Sequence, residues 1–285
     1  MLPLDFSEQP VLVCKDHTVS GEFFELRKAK DLDLLATFPQ PDLERLPDYY
    51  KSESYISHTD SKKGFFDKIY QQVKNLMLSR KLNWIAQEKT GPIKVLDVGA
   101  GTGDFLLAAK KRGWEVYGSE PNYGARTLAS KKGVELEEET RGFSSGSFDV
   151  ITLWHVLEHV PNLEEQIEEL YRLLKPDGLL VIAVPNFKSD DAQKYKEHWA
   201  AYDVPRHLYH FSPSAIGKIF NSSGFFLTSQ KGLFFDSFYV SLLSEKYASG
   251  VSNMLKAVWK GAISNFKAKS SGNYSSVAYF FRKNT

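Results

Sequence analysis

The chain has 285 residues, enough for one large domain or two modest ones, and its formal net charge is +1. This near-neutral balance provides no overall positive field for nucleic acid. One cysteine excludes a disulfide framework within the chain and fits a reducing compartment, and the first ten residues lack the features of a secretion signal. No apolar run approaches the roughly 20 residues of a membrane span. We therefore expect a cytoplasmic protein that does not bind nucleic acid.

The N-terminal part of the chain divides into two segments. Over residues 1–60, short apolar runs around the turn-like pair at 20–21 predict a small hairpin, and three prolines between 39 and 47 predict an extended arm. Over residues 61–91, apolar side chains at helical spacing predict a linking helix, which a Gly-Pro pair ends.

The most informative stretch is residues 93–105, I-K-V-L-D-V-G-A-G-T-G-D-F. An apolar run ends in Asp97, and a helical pattern begins at Asp104. Three glycines lie between them at alternate positions: Gly99, Gly101 and Gly103. This pattern predicts a buried strand, a tight turn and a helix N-terminus, where a ligand contacts bare backbone. Dinucleotide sites have a third glycine where this chain has Asp104, and the two acidic residues favour a ligand that carries a cation.

Strand and helix patterns alternate from residue 93 onward, which predicts a mostly parallel sheet with helices on both faces. The second strand ends at Glu120, where an acidic side chain in doubly wound folds accepts hydrogen bonds from ribose hydroxyls. The predicted fold is α/β, with a doubly wound sheet of seven strands at 93–98, 114–119, 134–138, 147–154, 179–184, 225–230 and 275–282.

Three motifs resemble those of one enzyme family. V-L-D-V-G-A-G-T-G at 95–103 resembles motif I of the class I S-adenosylmethionine (SAM)-dependent methyltransferases, and the runs at 147–160 and 173–186 are similar to its fourth-strand and fifth-strand motifs. The resemblance covers roughly residues 92–231 closely and 232–285 more loosely. It implies a Rossmann-like SAM-binding domain over 92–285, with a final antiparallel strand and with cap segments at 186–211 and 232–270.

The resemblance also implies where the cofactor lies. Asp97 and the glycine loop would hold the methionine portion, Glu120 the ribose, and Trp154 and His155 would border the methyl group. The full predicted set is Asp97, Gly99, Ala100, Gly101, Thr102, Gly103, Glu120, Pro121, Trp154 and His155. The adenine contact stays open among Glu137, Glu138 and Glu139. Tyr55 and His58 either pack against the domain or close over the amino-acid end of the cofactor.

Five of the seven histidines lie between residues 155 and 210, after the fourth and fifth strands. Histidine takes up a proton near neutral pH more readily than other side chains. We predict His155 and His207 as catalytic bases. We predict Tyr202, Arg206 and His210 as substrate contacts; the alternative is that these residues stabilise a polar loop.

The same segment also resembles a known metal site. His155, Glu158 and His159, with a later histidine such as His207, resemble the metal site of small-RNA 3′-terminal ribose 2′-O-methyltransferases, in which Glu stands where this chain has His155. Glu-His is also common there in metal-free relatives, so we expect no metal.

The N-terminal segment resembles a zinc ribbon that has lost its ligands. Related methyltransferases carry two C-x-x-C pairs there, and zinc needs four ligands to close a structural site. Here Cys14 matches one ligand, whereas Val11, Ala29 and Leu32 stand at the other three positions. We expect a degenerate hairpin without zinc, held by apolar packing alone, with Cys14 as a buried thiol.

The resemblance implies methyl transfer from SAM, with S-adenosylhomocysteine (SAH) as product, to a small-molecule acceptor. By analogy the acceptor is an oxygen of a quinone-like compound or of a sugar or cell-surface precursor. The alternatives are a non-catalytic SAM-binding module acting through protein partners and, less favoured by the glycine spacing, an NAD-dependent oxidoreductase. Aromatic C-terminal helices bordered by lysines predict lid packing or peripheral membrane contact. The oligomeric state is left open.

Overall fold

The computed structural model describes residues 4–42, 44–50, 65–251 and 253–284, and it describes side chains within the first helix from residue 71 onward. The strands are β1 (Phe6–Lys15), β2 (Phe23–Ala29), β3 (Leu34–Phe38), β4 (Lys94–Val98), β5 (Glu115–Ser119), β6 (Phe148–Trp154), β7 (Leu174–Pro185), β8 (Tyr209–Phe211), β9 (Phe225–Gly232) and β10 (Ser276–Lys283). The α-helices are α1 (Phe65–Glu88), α2 (Asp104–Lys111), α3 (Tyr123–Lys131), α4 (Leu163–Leu173), α5 (Asp190–Tyr195), α6 (Pro213–Ser222), α7 (Asp236–Ser249) and α8 (Met254–Ser271).

The central sheet has the strand order β5-β4-β6-β7-β10-β9. Strands β5, β4, β6 and β7 are parallel, and β10 is antiparallel to both β7 and β9. Alternate residues of β4 enter two apolar clusters on opposite faces, with Leu96 in one and Val95 in the other. Helix α4 packs into the first cluster and α1 into the second, which confirms the predicted doubly wound α/β fold and its final antiparallel strand.

The central sheet has six strands among the described residues, so the prediction of seven is wrong. Residues 134–138 form a single parallel bridge to β5, from Ser119 to Glu137, which consists of two backbone hydrogen bonds. Val134 alone of this segment is fully buried, while its three glutamates are largely exposed. With so little apolar surface to bury, the segment runs along the sheet edge without forming a ladder.

The N-terminal segment forms a second sheet, which is antiparallel and has the order β1-β2-β3-β8. The predicted hairpin corresponds to β1 and β2. The predicted extended arm is wrong over Leu34–Phe38, because this stretch is β3, and it pairs with β8 from the far side of the chain. Cys14 is buried and burial raises the pKa of its thiol to about 12, as expected for an inert thiol.

The other zinc-ribbon positions differ in their surroundings. Ala29 and Leu32 are buried, whereas Val11 is exposed. The segment is not held by apolar packing alone. The buried Arg206 side chain lies 3.0 Å from Asp16 at the end of β1 and 2.7 Å from Asp203, and it also donates to the carbonyl of Tyr49. This ion-pair network joins the N-terminal sheet to the segment before β8.

Candidate active site

The glycine loop has the predicted strand–turn–helix form. Gly99, Gly101 and Gly103 all have positive φ values, of 67°, 55° and 75°. A Cβ on Gly99 would lie 2.6 Å from the Val156 side chain, so this position has no room for one. A Cβ on Gly101 would have no atom within 4 Å. The loop therefore leaves open space above the bare backbone of Gly101, next to the first turn of α2.

Glu120 ties this loop to the end of β5. One carboxylate oxygen accepts the Gly101 amide at 2.9 Å, and the other accepts the Asn122 amide at 2.9 Å. The structure thus brings Asp97, the loop and Glu120 together at the carboxyl ends of β4 and β5, with Ala100 and Pro121 beside them. The Thr102 hydroxyl donates to Asp104 and accepts from Lys132, so this side chain is engaged at the start of α2.

Asp97 lies at the end of β4 and is 3% exposed. Burial raises its pKa to about 7, although the hydroxyl of Thr152 donates to it at 2.5 Å and the charge of Lys81 opposes the rise. A buried carboxyl of this kind is stabilised in its charged form by an incoming cation.

Lys81 is a site residue that was not predicted from the sequence. Its ammonium lies 4.1 Å from the centroid of the Trp154 ring, and burial lowers its pKa. The signal was present, because Lys81 lies one helical turn before the buried Ile85, on the face of α1 that packs against the sheet.

His155 follows β6 with a φ of 58°, a conformation that is rare outside glycine. Its Nε2 lies 3.0 Å from Asp236, at the start of α7, and its Nδ1 lies 3.4 Å from Glu158. Burial opposes its protonation, but the hydrogen bonds and charges of these two carboxylates outweigh burial and raise the pKa of His155 to about 9. At neutral pH the ring is therefore mainly an imidazolium with both nitrogens engaged, which argues against the predicted role as base. Asp236 was not predicted, since nothing local to it indicates a partner 81 residues away.

His207, the second predicted base, forms a hydrogen bond with a backbone carbonyl. His207 is largely buried, and its Nδ1 lies 2.9 Å from the carbonyl of Ala201. Its ring packs edge to face against His159, with centroids 4.5 Å apart. Glu158 lies beside both rings, and ligand atoms of the three side chains lie within 4.8 Å of one another.

The three predicted substrate contacts lie in a packed interior. Arg206 is 1% exposed and is used by the ion-pair network. His210 is buried and its Nε2 is 3.0 Å from the Thr37 hydroxyl of β3, while Tyr202 is buried edge to face against the His210 ring. These contacts fit the alternative that Tyr202, Arg206 and His210 stabilise a polar loop. Tyr55 and His58 lie outside the described residues.

The adenine candidates are distributed along the sheet edge. Glu137 makes the bridge to β5, Glu138 forms an ion pair with Arg126 at 3.0 Å, and Glu139 lies 3.5 Å from Arg141. None of these contacts indicates which of the three carboxylates would contact the adenine.

The chain matches the profile of a known protein family. The profile of the methyltransferase-domain family matches residues 63–230. Over 121 residues the chain is 34% identical to the ubiquinone biosynthesis O-methyltransferase of Erwinia tasmaniensis, a match that covers 38% of this chain and 50% of that one. Over 140 residues it is 26% identical to a ubiquinone/menaquinone biosynthesis C-methyltransferase of Bartonella bacilliformis, covering 44% and 54%. The chain thus matches only about half the length of these relatives.

Solved structures share the fold. Magnesium protoporphyrin IX methyltransferase from Synechocystis, with bound SAH, aligns with a TM-score of 0.55 at 17% identity, over 86% of this chain and 100% of that one. A SAM-dependent methyltransferase from Archaeoglobus fulgidus aligns with a TM-score of 0.51 at 20% identity, over 77% and 100%. Likeness at this level of identity establishes the class I methyltransferase fold alone.

Proposed function

Because the chain belongs to the methyltransferase-domain family, whose cofactor is SAM, we propose that it transfers the methyl group of SAM to a small-molecule acceptor. One observation carries this proposal: the amide of Gly101 is fixed by Glu120 beneath open space, and Asp97 lies at the end of the adjoining strand. The loop would accept the methionine portion, the carboxylate of Glu120 would accept the ribose hydroxyls, and Asp97 would favour the cationic amino group.

The methyl group would lie beside Trp154 and His155. Trp154 is the last residue of β6 and His155 follows it. Ligands of doubly wound folds bind at the carboxyl ends of the strands. The contact between His155 and Asp236 joins this point to α7, so that the C-terminal cap would enclose the acceptor. Enclosure excludes water and orients the acceptor, and orientation supplies much of the acceleration in a direct displacement.

The acceptor we propose is an oxygen of a quinone-like ring. The relatives named above from ubiquinone biosynthesis support an aromatic acceptor, since one of them is an O-methyltransferase. In the reaction the acceptor oxygen loses its proton and forms the O–CH₃ bond, and the S–CH₃ bond breaks with its electron pair retained by sulfur, giving SAH. A sugar or cell-surface precursor is the second acceptor class to test.

We also propose that the outer face of α8 contacts a membrane surface, where long-chain quinones reside. Leu255, Trp259 and Phe266 are each at least two-thirds exposed and share this face. Two of the lysines that border this face, Lys256 and Lys260, form ion pairs with Glu245. The positive charge that this border offers to a membrane is therefore smaller than the number of lysines indicates. No described helix is long and apolar enough to cross a bilayer.

The test is transfer of radiolabel from [methyl-³H]SAM to a panel of demethylated quinols and nucleotide-linked sugars, with SAH binding measured on the same protein. Transfer of label to a quinol by the wild type, together with loss of this transfer in Asp97→Asn, supports the proposal. Tight SAH binding without transfer to any acceptor favours the non-catalytic module, and NAD binding without SAH binding favours an oxidoreductase.

A further inference from the structure

We propose that helix α7 couples the N-terminal sheet to the methyl-transfer centre, with one positioning residue at each end of the helix. Asp236 makes the contact at its first residue, and His17 of the N-terminal segment makes the contact at its last turns. A helix of 14 residues is about 21 Å long, so α7 connects two distant parts of the molecule. The inference rests on the proposed function, and it gives a role to a zinc-ribbon-like segment that keeps one ligand position of four.

The first contact joins the start of α7 to the end of β6. The carboxylate of Asp236 lies 3.0 Å from Nε2 of His155, whose amide donates to the carbonyl of Ala183 in β7. The φ of His155 is 58°, and a side-chain-bearing residue keeps such a conformation only where the surrounding contacts fix it. The position of α7 and the backbone beside the methyl-transfer centre are therefore linked.

The second contact joins the end of α7 to the N-terminal segment. The ring of Tyr247 stacks on the ring of His17, with centroids 4.3 Å apart and planes 6° apart. Among the described residues the buried Nε2 of His17 has no hydrogen-bond partner. Burial and the nearby charge of His198 lower the pKa of His17, so its ring is neutral at physiological pH. We therefore attribute the contribution of His17 to ring stacking.

The turn that carries His17 is itself fixed. The carboxylate of Asp16 accepts the amides of Thr18 and Ser20, at 2.9 and 2.8 Å. The same carboxylate is the ion-pair partner of the buried Arg206. His17 therefore has a defined position relative to both the N-terminal sheet and the segment before β8.

Between its two ends, α7 packs through one buried face. The hydroxyl of Ser237 accepts a hydrogen bond from Asn265 of α8 at 2.7 Å, and the hydroxyl of Ser244 accepts the amide of Ala200 at 2.9 Å. The buried residues recur at helical spacing: Ser237, Val240, Ser241, Ser244 and Glu245. A continuous packed helix carries a displacement from one end to the other, so loss of the stacked ring should reach Asp236.

The coupling should affect the acceptor and not the cofactor. The start of α7 lies beside the proposed position of the methyl group, where a small misplacement of the acceptor slows a direct displacement steeply. The glycine loop and Glu120 belong to the β4–β5 part of the sheet, so SAH affinity should not depend on His17.

The experiment is amide hydrogen exchange, followed by mass spectrometry, on the wild type and three variants. His17→Ala removes the ring and should speed exchange about fivefold or more at both ends of α7 and at His155. His17→Phe keeps a stacking ring without the unpaired nitrogen and should exchange like the wild type. Val13→Ala alters a side chain of β1 that is 48% exposed and should also leave these rates unchanged.

The reciprocal variant is Asp236→Asn, which weakens the contact with His155 and should speed exchange in the turn at residues 16–20. Faster exchange in His17→Ala that is confined to the last turn of α7 would overturn the coupling, as would equal rates in His17→Ala and His17→Phe. If His17→Ala does not fold, Asp236→Asn decides. Wild-type SAH binding without these exchange effects rejects the coupling alone, whereas a folded wild type that does not bind SAH rejects the proposed function.

Discussion

At the residue scale, Gly101 has a conformation that suits glycine and an open space that suits a ligand. Alanine at φ 55° costs about 1 kcal/mol wherever it occurs, but here its methyl group would also enter the proposed cofactor space. We expect Gly101→Ala to fold and to bind SAH at least about tenfold more weakly, since a close backbone contact is lost. Calorimetry and thermal unfolding measure the two effects.

Gly133 provides a matched control for that variant. Its φ is 81°, and a Cβ there also has no atom within 4 Å, but it follows α3 and lies outside the loop. Gly133→Ala should lose similar stability and keep wild-type SAH affinity. Equal loss of affinity in both variants would show that general destabilisation, and not the cofactor space, explains the effect.

We expect Asp97 to make cofactor binding depend on pH. Its pKa of about 7 means that part of the population is neutral at physiological pH, and a bound ammonium group favours the ionised form. Lowering the pH from about 8 to about 6 should therefore weaken SAH binding roughly tenfold.

The variant Asp97→Asn isolates this effect, since its amide does not titrate. It should bind SAH weakly with a flat profile over the same range, measured by calorimetry in buffers matched for ionisation enthalpy. A wild-type affinity that is constant with pH would exclude Asp97 as the group that receives the amino group.

The predicted cofactor residues come together in the fold, whereas the predicted acceptor residues are separated from them, for a physical reason. The loop residues and Glu120 lie within one strand–turn–helix–strand stretch, so spacing along the chain fixes their neighbourhood. The partners of His155 and Arg206 come from residues 236 and 16, and no local pattern encodes such contacts. The concentration of histidines between residues 155 and 210 does not indicate which rings face carboxylates and which face backbone.

At the element scale, Arg206 connects the N-terminal sheet to the segment before β8. Arg206→Met would leave Asp16 buried without its ion-pair partner, and breaking such a pair costs about 3–5 kcal/mol. Urea unfolding at neutral pH should show this loss. Arg141→Met removes an exposed pair with Glu139 and should cost less than about 1 kcal/mol. Similar small losses in both would contradict a structural role for the network.

Low pH should weaken the same ion-pair network. Burial favours a raised pKa for Asp16, but the Arg206 guanidinium and the backbone amides of residues 18 and 20 outweigh burial and hold the pKa of Asp16 well below its usual range. The stabilisation is therefore complete above the unfolded pKa of about 4 and is lost as the pH falls below it. In Arg206→Met that loss should be much smaller.

Elements with strong local patterns were predicted well. Helix α4 has such a pattern: it begins at an Asn cap that accepts the amide of Glu165, and its leucine and isoleucine residues are buried. Strand β8 shows the limit of such patterns: its three residues pair with β3, about 175 positions earlier, and isolated residues of this kind carry no detectable periodicity.

At the scale of the whole molecule, the proposed membrane contact predicts lipid binding through one face. The double variant Leu255→Ser/Trp259→Ser should reduce co-sedimentation with vesicles of phosphatidylglycerol and phosphatidylcholine about fivefold or more. Phe23→Ser alters an exposed aromatic residue of the N-terminal sheet and should have no effect. Vesicle binding that is absent, or equal in all three proteins, would contradict this surface.

The central claim is that SAM binds between the glycine loop and Glu120. The most direct measurement is calorimetric titration of SAH into the wild type, Glu120→Ala and Glu115→Ala, whose side chain lies at the opposite end of β5. We predict micromolar binding by the wild type and by Glu115→Ala. Binding by Glu120→Ala should be at least about tenfold weaker, because charged hydrogen bonds to the ribose are lost. A folded wild type that does not bind SAH would contradict the account.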